Sequence, residues 1–382
     1  IGLILVVLGT GLLKPNIGAM VGQLYSQEDK RRDSGYTLYY LGINLGSLIG
    51  YTVCGYLRLN MGWHWAFGAA AVGMGVGLIT YKMTLGKLEG AGAEPTVKLS
   101  PKAAKISWSV IGLFLLGIAA VAYMLMNNMM SFNAVVVAEK FAITATVIFL
   151  AYFAAVFFFG NNSPDEKRQL GALFLVCVAS IFFWTGFEQA GSSLNLFGQN
   201  YTDRIIGTFE IPPEWLQSAN STFIIILSPF FAAMWINMAK RMITPSYGLK
   251  CAVGLIIMAT GFLVMFFAAQ VAASGLKVAP YWLIATYFLH TVGELCLSPV
   301  ALSAVSKLSP KRFAGQMMGV FVLTYSIGNV ISGILAGNFD PNNVQEIPTL
   351  YLQIALFSIG VGIVLVLMSF KAKIWEKQGL ET

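Results

Sequence analysis

The sequence predicts an all-α membrane protein with many spanning helices, and two observations support that fold class. Of its 382 residues, 57% are hydrophobic and only 11% are charged, whereas soluble domains carry about a quarter charged residues. The apolar residues also fall in blocks of about twenty or more, the length that one helical crossing of a bilayer needs. A membrane β-barrel would instead show alternating segments of about ten residues, and none are present.

The apolar blocks predict eleven spans. They cover residues 1–25, 34–57, 62–86, 105–130, 140–160, 170–198, 215–240, 247–272, 280–307, 313–336 and 347–370. The polar connector at 86–105 is rich in Gly, Pro and Lys, which is typical of a surface loop, and it predicts a boundary between two helical bundles.

The orientation of the spans follows from the basic residues, because Lys and Arg accumulate in cytoplasmic loops. The alternation that places most of the 24 basic residues inside puts the C-terminus in the cytoplasm and residue 1 on the outer face. We therefore expect an odd number of spans to precede Ile1 in the natural protein. The net charge of +7 lies in these loops, without the basic patch of a nucleic-acid-binding protein.

Three charged residues lie at membrane depth within the apolar blocks, away from the ends: Lys14, Glu188 and Glu294. A charge at the bilayer centre costs about 2.5–3.5 kcal/mol on insertion scales, so each predicts a functional site. The alternative is a structural ion pair or hydrogen bond. The dipeptide Lys14-Pro15 also predicts a local break in its helix, since proline removes a backbone donor.

Glu294 shares a predicted helix face with two other polar residues. His290, Glu294 and Ser298 follow at i, i+4 and i+8, which predicts a polar stripe facing a wet cavity. For His290, a packing role and a functional role remain equally open. Lys14 and Glu294 each precede a matching glycine by 21 residues (Gly35 and Gly315), and this weak repeat supports two related halves with a site between them.

Glu188 follows Trp184 by one helical turn. A carboxylate beside an aromatic ring in a low-dielectric setting favours its protonated form, which is what a proton carrier requires. Asn44 lies in the middle of its predicted span and Asn220 near the start of its own. Either amide could bind a peptide backbone, or could instead form a hydrogen bond between helices.

Four motifs at these residues closely resemble those of the proton-dependent oligopeptide transporter family of the major facilitator superfamily. The motifs are residues 9–16 (GTGLLKPN), 39–47 (YYLGINLGS), 183–189 (FWTGFEQ) and 293–299 (GELCLSP). The resemblance implies a bacterial-type major facilitator fold, two six-helix bundles plus an inserted helix pair. It also implies that the first three helices, with the motif Glu-x-x-Glu-Arg-Phe-x-Tyr-Tyr, are not in this chain. The domains would be 1–86 (helices 4–6), 87–169 (linker and inserted pair) and 170–382 (helices 7–12).

The resemblance also implies the roles of the site residues. Lys14 would bind the peptide carboxylate and take part in proton coupling, and Glu294 would receive the amino terminus beside Ser298. Glu188 would couple protons. Asn44 and Asn220 would bind the peptide backbone, and Trp184 would form a pocket wall.

The function implied is proton-coupled symport of di- and tripeptides by alternating access. The protein would act as a monomer in a bacterial inner membrane, with protons as the coupling ion and no cofactor. One alternative is a relative that carries nitrate or another small metabolite. Another is a channel or a membrane enzyme, but the sequence has neither a filter-like loop nor a metal or nucleophile constellation.

Overall fold

The computed structural model describes residues 2–24, 32–88, 90, 100–127, 129, 133–337, 339–340 and 343–377. Within them the chain forms twelve α-helices and one two-stranded hairpin. The elements are α1 (Gly2–Gln23), α2 (Arg32–Met61), α3 (Trp63–Thr84), α4 (Pro101–Met126), α5 (Ala134–Phe159), α6 (Pro164–Phe187), α7 (Ser193–Tyr201), β1 (Ile205–Ile206), β2 (Phe209–Glu210), α8 (Pro213–Lys240), α9 (Tyr247–Ala273), α10 (Tyr281–Leu308), α11 (Ala314–Ala336) and α12 (Ile347–Lys377). Nine spans in the described part are long and apolar enough to cross a membrane.

The eleven predicted spans correspond to the eleven long helices. The sixth, predicted at 170–198, lies within the spanning stretch Pro164–Tyr201, in which α6 ends at Phe187 and a 3-10 turn at Glu188–Gly191 leads into the nine-residue α7. One local expectation was wrong. The predicted break at Lys14-Pro15 is absent, since α1 runs through both residues. A proline inside a helix removes one hydrogen bond and can bend the helix without ending it.

The chain divides into two compact units. The first comprises residues 1–43 and 67–134. Its helix α4 has no buried side chain, although its sequence is mostly apolar, and such a surface suits contact with lipid. Ser100 caps the start of α4 by accepting a hydrogen bond from the backbone N–H of Ala103.

The second unit, residues 44–66 and 135–382, contains a continuous apolar core. Phe183, Phe262, Phe321 and Tyr351 are fully buried and belong to helices α6, α9, α11 and α12. Helix α5 adds Phe149 and Phe153, whose rings pack against Phe174 of α6 at 5.9 and 5.3 Å. The helices that position the site are therefore held by a close-packed interior.

Helices α9 and α10 approach each other at a pair of facing glycines. A Cβ atom on Gly254 would lie 2.7 Å from the carbonyl oxygen of Gly293, and one on Gly293 would lie 2.6 Å from that of Gly254. Neither distance is possible between real atoms, so only glycine allows the two backbones to come this close. The contact fixes α10 against its neighbour immediately before Glu294.

The C-terminal half of α2 belongs to the second unit because it is attached to the start of α8. Arg58 and Glu214 form a bidentate ion pair, with Nη2 and Oε2 3.0 Å apart, and both side chains are less than one-fifth exposed. Trp215 donates from its indole nitrogen to the carbonyl of Thr52 at 2.9 Å. Gly55 lies against Glu214. Charge, hydrogen bonding and close packing thus act at one contact.

The connection from α7 to α8 is a β-hairpin organised by a buried arginine. Strands β1 and β2 pair antiparallel around Gly207, whose φ of 62° favours glycine. Arg204 is 7% exposed and donates to the carbonyl oxygens of Ile211 and Gln199 and to the Glu210 carboxylate. One side chain therefore closes the loop.

Candidate functional site

Glu294 lies in the interior of α10 and is bonded to α8. Its carboxylate is 8% exposed, and Oε2 accepts a hydrogen bond from Nδ2 of Asn220 at 3.2 Å. The same amide nitrogen donates to Oγ1 of Thr291 at 2.9 Å. These three side chains form a polar cluster between two spanning helices, where a buried charge without a partner would be costly.

The other two members of the predicted stripe lie one turn on either side of Glu294. His290 is 1% exposed, packs 5.0 Å from the Phe262 ring and fills the notch left by Gly261. Neither of its ring nitrogens has a hydrogen-bond partner in the described part of the chain. The ring contacts suit a packing role, whereas among the described residues the ring nitrogens lack the partners of a satisfied packing histidine, so both interpretations of His290 stay predictions.

Ser298 also has a buried hydroxyl for which the described residues offer no partner. The next residue, Pro299, lies inside α10 and has no N–H to donate to the carbonyl four residues earlier, that of Leu295. A free hydroxyl and a carbonyl without its helical donor therefore lie within a turn of Glu294, and both are available for polar contacts.

Glu188 occupies the first position of the turn that ends α6. The following residue, Gln189, is fully buried and donates to the carbonyl and the hydroxyl of Ser332 at 2.9 and 3.0 Å. Ser193 donates to Oε1 of Gln189 at 2.6 Å, and Tyr351 donates to the Ser193 carbonyl at 3.2 Å. Side chains of α11 and α12 thus stabilise the break beside Glu188, where helical hydrogen bonds are lost.

Trp184, one turn before Glu188, lies in an aromatic cluster. Its ring is 4.7 Å from that of Tyr325 on α11 and 5.2 Å from that of Phe187. A Cβ added at Gly328 would lie 2.7 Å from the Cβ of Trp184, so α11 approaches α6 closely at this residue. The resemblance implied that Trp184 forms a pocket wall, and that role stays a prediction.

The two glutamates of the candidate site, Glu188 and Glu294, interact electrostatically. The Glu188 carboxylate is close enough to exert a Coulomb effect on Glu294 and on the Tyr51 hydroxyl of α2. Tyr325 interacts in the same way with Glu294. Because like charges repel in a low-dielectric setting, the two carboxylates are electrostatically coupled. Proton coupling through them stays a prediction.

The predicted site residues are distributed unevenly in the structure. Asn220 and Glu294 are in contact, and Glu188 lies within electrostatic range of Glu294. Asn44 is 6% exposed within α2. The backbone of Lys14 lies in α1, but its side chain lies outside the described residues. All seven assignments to peptide binding or proton coupling stay predictions.

Two polar residues of the site were not predicted. Thr291 gives no signal in a sequence, because buried threonines commonly bond to their own helix backbone. Gln189 has a clearer sequence signal. It precedes Ala-Gly-Ser-Ser, and glycine and serine after an apolar run indicate that a helix ends.

Spanning helices that hold a buried carboxylate and buried amides in their interior are typical of integral membrane transporters. A family model described as "PTR2: POT family" matches residues 1–350. The chain belongs to the POT family, as its motifs predicted.

The relatives include several transporters of bacteria. The peptide transporter YePEPT of Yersinia enterocolitica is 36% identical over 391 residues, which cover 100% of this chain and 76% of the relative. The uncharacterized transporter YclF of Bacillus subtilis is 36% identical over 372 residues, 97% of this chain and 73% of its own. The di-/tripeptide transporter of Lactococcus lactis subsp. cremoris is 32% identical over 346 residues, 87% and 67% of the two chains.

Solved structures confirm the fold. The crystal structure of the peptide transporter POT in complex with sulfate aligns with a TM-score of 0.87 and 32% identity, over 97% of this chain and 74% of that one. A POT family transporter in complex with 5-aminolevulinic acid aligns with a TM-score of 0.85 and 26% identity, over 95% and 74%. The predicted major facilitator architecture is therefore correct.

Proposed function

We propose that this protein is a proton-coupled symporter of di- and tripeptides. The observation that carries the proposal is the buried cluster of Glu294, Asn220 and Thr291, with Glu188 in electrostatic range, in a member of the POT family. A buried carboxylate beside an amide suits a ligand that carries an ammonium group and N–H donors. Relatives named as peptide transporters, such as the Lactococcus di-/tripeptide transporter, support peptides as the substrate class.

In this proposal Glu294 receives the peptide amino terminus. The ammonium replaces the hydrogen bond from Asn220 with a charge-assisted one, which is stronger in a site removed from water. Ser298 and the Leu295 carbonyl add polar contacts one turn away, and Trp184 limits the pocket. Lys14 binds the peptide carboxylate, an assignment that rests on the sequence motif. Peptides whose terminal carboxylate is blocked should therefore bind more weakly than free peptides.

Glu188 carries the proton. When it is ionised, its charge opposes ionisation of Glu294, and when it is protonated that opposition disappears. Proton binding at Glu188 would therefore favour a charged Glu294 and an ammonium ligand. Inward proton movement supplies about 2.3 kcal/mol per charge for each 100 mV of membrane potential, and the two bundles would rock to alternate access. We place the protein in a bacterial inner membrane, with its C-terminus in the cytoplasm and the monomer as the working unit.

The test is uptake of labelled dialanine by the full-length protein in proteoliposomes, with and without an inward proton gradient. We expect the gradient to accelerate uptake, Glu294→Gln to lower it more than about tenfold, and Glu188→Gln to lose the response to the gradient. Peptide exchange, which moves no net proton, should survive in Glu188→Gln. Glu139→Gln, an exposed change on α5, is the control and should behave as the unaltered protein.

Uptake that ignores the gradient would contradict the symport mechanism. Uptake unchanged by Glu294→Gln would contradict the placement of the amino terminus.

A second candidate is transport of a small metabolite with amine and carboxylate ends. The related POT family transporter in complex with 5-aminolevulinic acid favours it, because that ligand carries the same two charged ends as a peptide. Competition separates the two: a peptide transporter is inhibited by excess dialanine, whereas a metabolite transporter is inhibited by 5-aminolevulinic acid alone. Inhibition by nitrate would indicate the anion-transporting alternative.

A further inference from the structure

Thr291 is the member of the α8–α10 cluster to which neither the motif nor the proposed function gives a role. It is fully buried, and its Oγ1 accepts a hydrogen bond from Nδ2 of Asn220 at 2.9 Å. The same hydroxyl donates to the carbonyl of Tyr287, one turn earlier on α10, at 2.7 Å. Both of its hydrogen bonds are thus made within the core of the second unit.

The hydroxyl of Thr291 can only accept from Asn220. A threonine carries one hydroxyl proton, and here that proton is used by the Tyr287 carbonyl. A carboxamide is nearly symmetric in shape, so its neighbours decide which end is nitrogen and which is oxygen. Beside an acceptor, the NH₂ group must face Thr291, and Oδ1 of Asn220 must face away from it.

Glu294 alone could not fix this orientation. When ionised, its carboxylate only accepts and holds the NH₂ group of Asn220; when protonated, it carries an O–H that can donate to the amide oxygen instead. The titratable groups that interact with Glu294 in the described part are Glu188, in the turn after α6, and Tyr325 of α11. On α10 itself, His290 lies one turn away. Because the proposed function uses protons as the coupling ion, we expect Glu294 to be met in both protonation states, while Thr291 remains an acceptor.

We infer that Thr291 is a positioning residue that keeps the Asn220 carboxamide in one orientation in both protonation states of Glu294. Oδ1 of Asn220, which has no hydrogen bond with any described residue, is then always presented as an acceptor. Together with Glu294 it forms a two-acceptor site for the primary ammonium or N–H groups of a ligand. This inference rests on the proposed function, since it concerns how the same site recognises the amino end of its substrate.

The experiment is a double-mutant cycle at Thr291 and Asn220 in the full-length protein, read as the KM and maximal rate of dialanine uptake. Thr291→Val keeps the shape and removes the acceptor, while Thr291→Ser keeps the acceptor. We expect valine to raise KM about three- to tenfold, the range for one lost hydrogen bond, with little change in the maximal rate. Serine should stay within about twofold of the unaltered protein.

Two readouts distinguish positioning from a structural role. In an Asn220→Ala background, Thr291→Val should raise KM no further, because it acts only through the amide. The KM ratio of valine variant to unaltered protein should also grow as the pH falls from about 7.5 to 5.5. At lower pH Glu294 is more often protonated and no longer holds the amide alone.

The outcomes separate the inference from the proposed function. If the unaltered protein does not transport dialanine, the proposed function fails and the inference fails with it. If it does, but Thr291→Val has no effect on KM or adds fully to Asn220→Ala, only the inference is overturned. Thr291→Cys, similar in size and a weak acceptor, replaces valine in the cycle should the valine variant not fold, with the same expected direction.

Discussion

Glu294 lies in the middle of an uninterrupted helix, whereas Glu188 lies where a helix ends. The first is on α10, which is pressed against α9 through Gly254 and Gly293, with backbone atoms in contact. The second is in a 3-10 turn, and the next residue of that turn, Gln189, is hydrogen-bonded through its side chain to Ser332 of α11. The segment that carries Glu294 is thus held by backbone packing, and the turn that carries Glu188 by side-chain hydrogen bonds.

The difference teaches how two similar carboxylates can take different roles. Backbone contact through glycines has no alternative arrangement of similar energy, because protein interiors resist deformation. Hydrogen bonds between side chains can be exchanged for others at a cost of about 1 kcal/mol each. We therefore expect the position of Glu294 to stay constant during transport, while the turn at Glu188 is the element that can rearrange.

The largest expected effect comes from placing a methyl group between α9 and α10. Gly293→Ala should lower the free energy of unfolding by about 3 kcal/mol, because the new Cβ overlaps the Gly254 carbonyl. The matched control is Gly333→Ala on α11, where a Cβ would meet open space. That control should be neutral or stabilising by about 0.5–1 kcal/mol. Thermal unfolding in detergent measures both, and equal tolerance of the two changes would show that the contact near Glu294 is not rigid.

An intermediate effect is expected at the helix break. Gln189→Met retains the volume but removes three hydrogen bonds, which should cost about 2 kcal/mol and weaken the response of uptake to the proton gradient. Ser192→Ala is the control, since the hydrogen bonds of Ser192 are 3.5 Å long. If the methionine variant is less stable but its uptake responds to the gradient as before, the hydrogen bonds of Gln189 stabilise the fold without affecting proton coupling at Glu188.

The smallest effect is expected at a third carboxylate, that of Glu214, which is paired with the Arg58 guanidinium. Removal of Arg58 and Glu214 singly and together should give a coupling energy of about 1 kcal/mol, as expected for a bidentate and largely buried pair. The exposed pair Arg168–Asp165, with both side chains 47% exposed, should give less than about 0.5 kcal/mol. Unfolding of the four variants of each cycle supplies the measurement. Equal coupling in the two pairs would mean that burial does not distinguish Glu214 from surface carboxylates.

The helices could be predicted from the sequence because a membrane span is a property of consecutive residues. The block at 247–272 coincides with α9 within a residue, and Tyr281–Leu308 was predicted as 280–307. The energetic cost of a charge within a membrane span likewise marked Glu188 and Glu294 as candidates from the sequence alone, and their roles stay predictions. Pro15 misled, because α1 continues through it.

The rest of the site depends on contacts between residues that are distant in sequence. Asn220 and Glu294 are 74 residues apart, and Arg58 and Glu214 are 156 apart. No local pattern predicts that such residues meet. Thr291 is a further case, since its function follows from the direction of one hydroxyl proton, and that direction is decided by the Tyr287 carbonyl and the position of α8.

The proline inside α10 has a mechanical consequence. The part of the helix before Glu294 is clamped to α9, whereas Pro299 leaves the Leu295 carbonyl without its donor. Resistance to bending is therefore unequal along α10, and the weakest point falls about one turn after Glu294. A force on the C-terminal end of α10, at Leu308, would bend the helix near Pro299 and leave the Glu294 carboxylate in place. The segment of α10 after Pro299 can therefore change direction while the segment that carries Glu294, the group proposed to bind the substrate, keeps its position against α9.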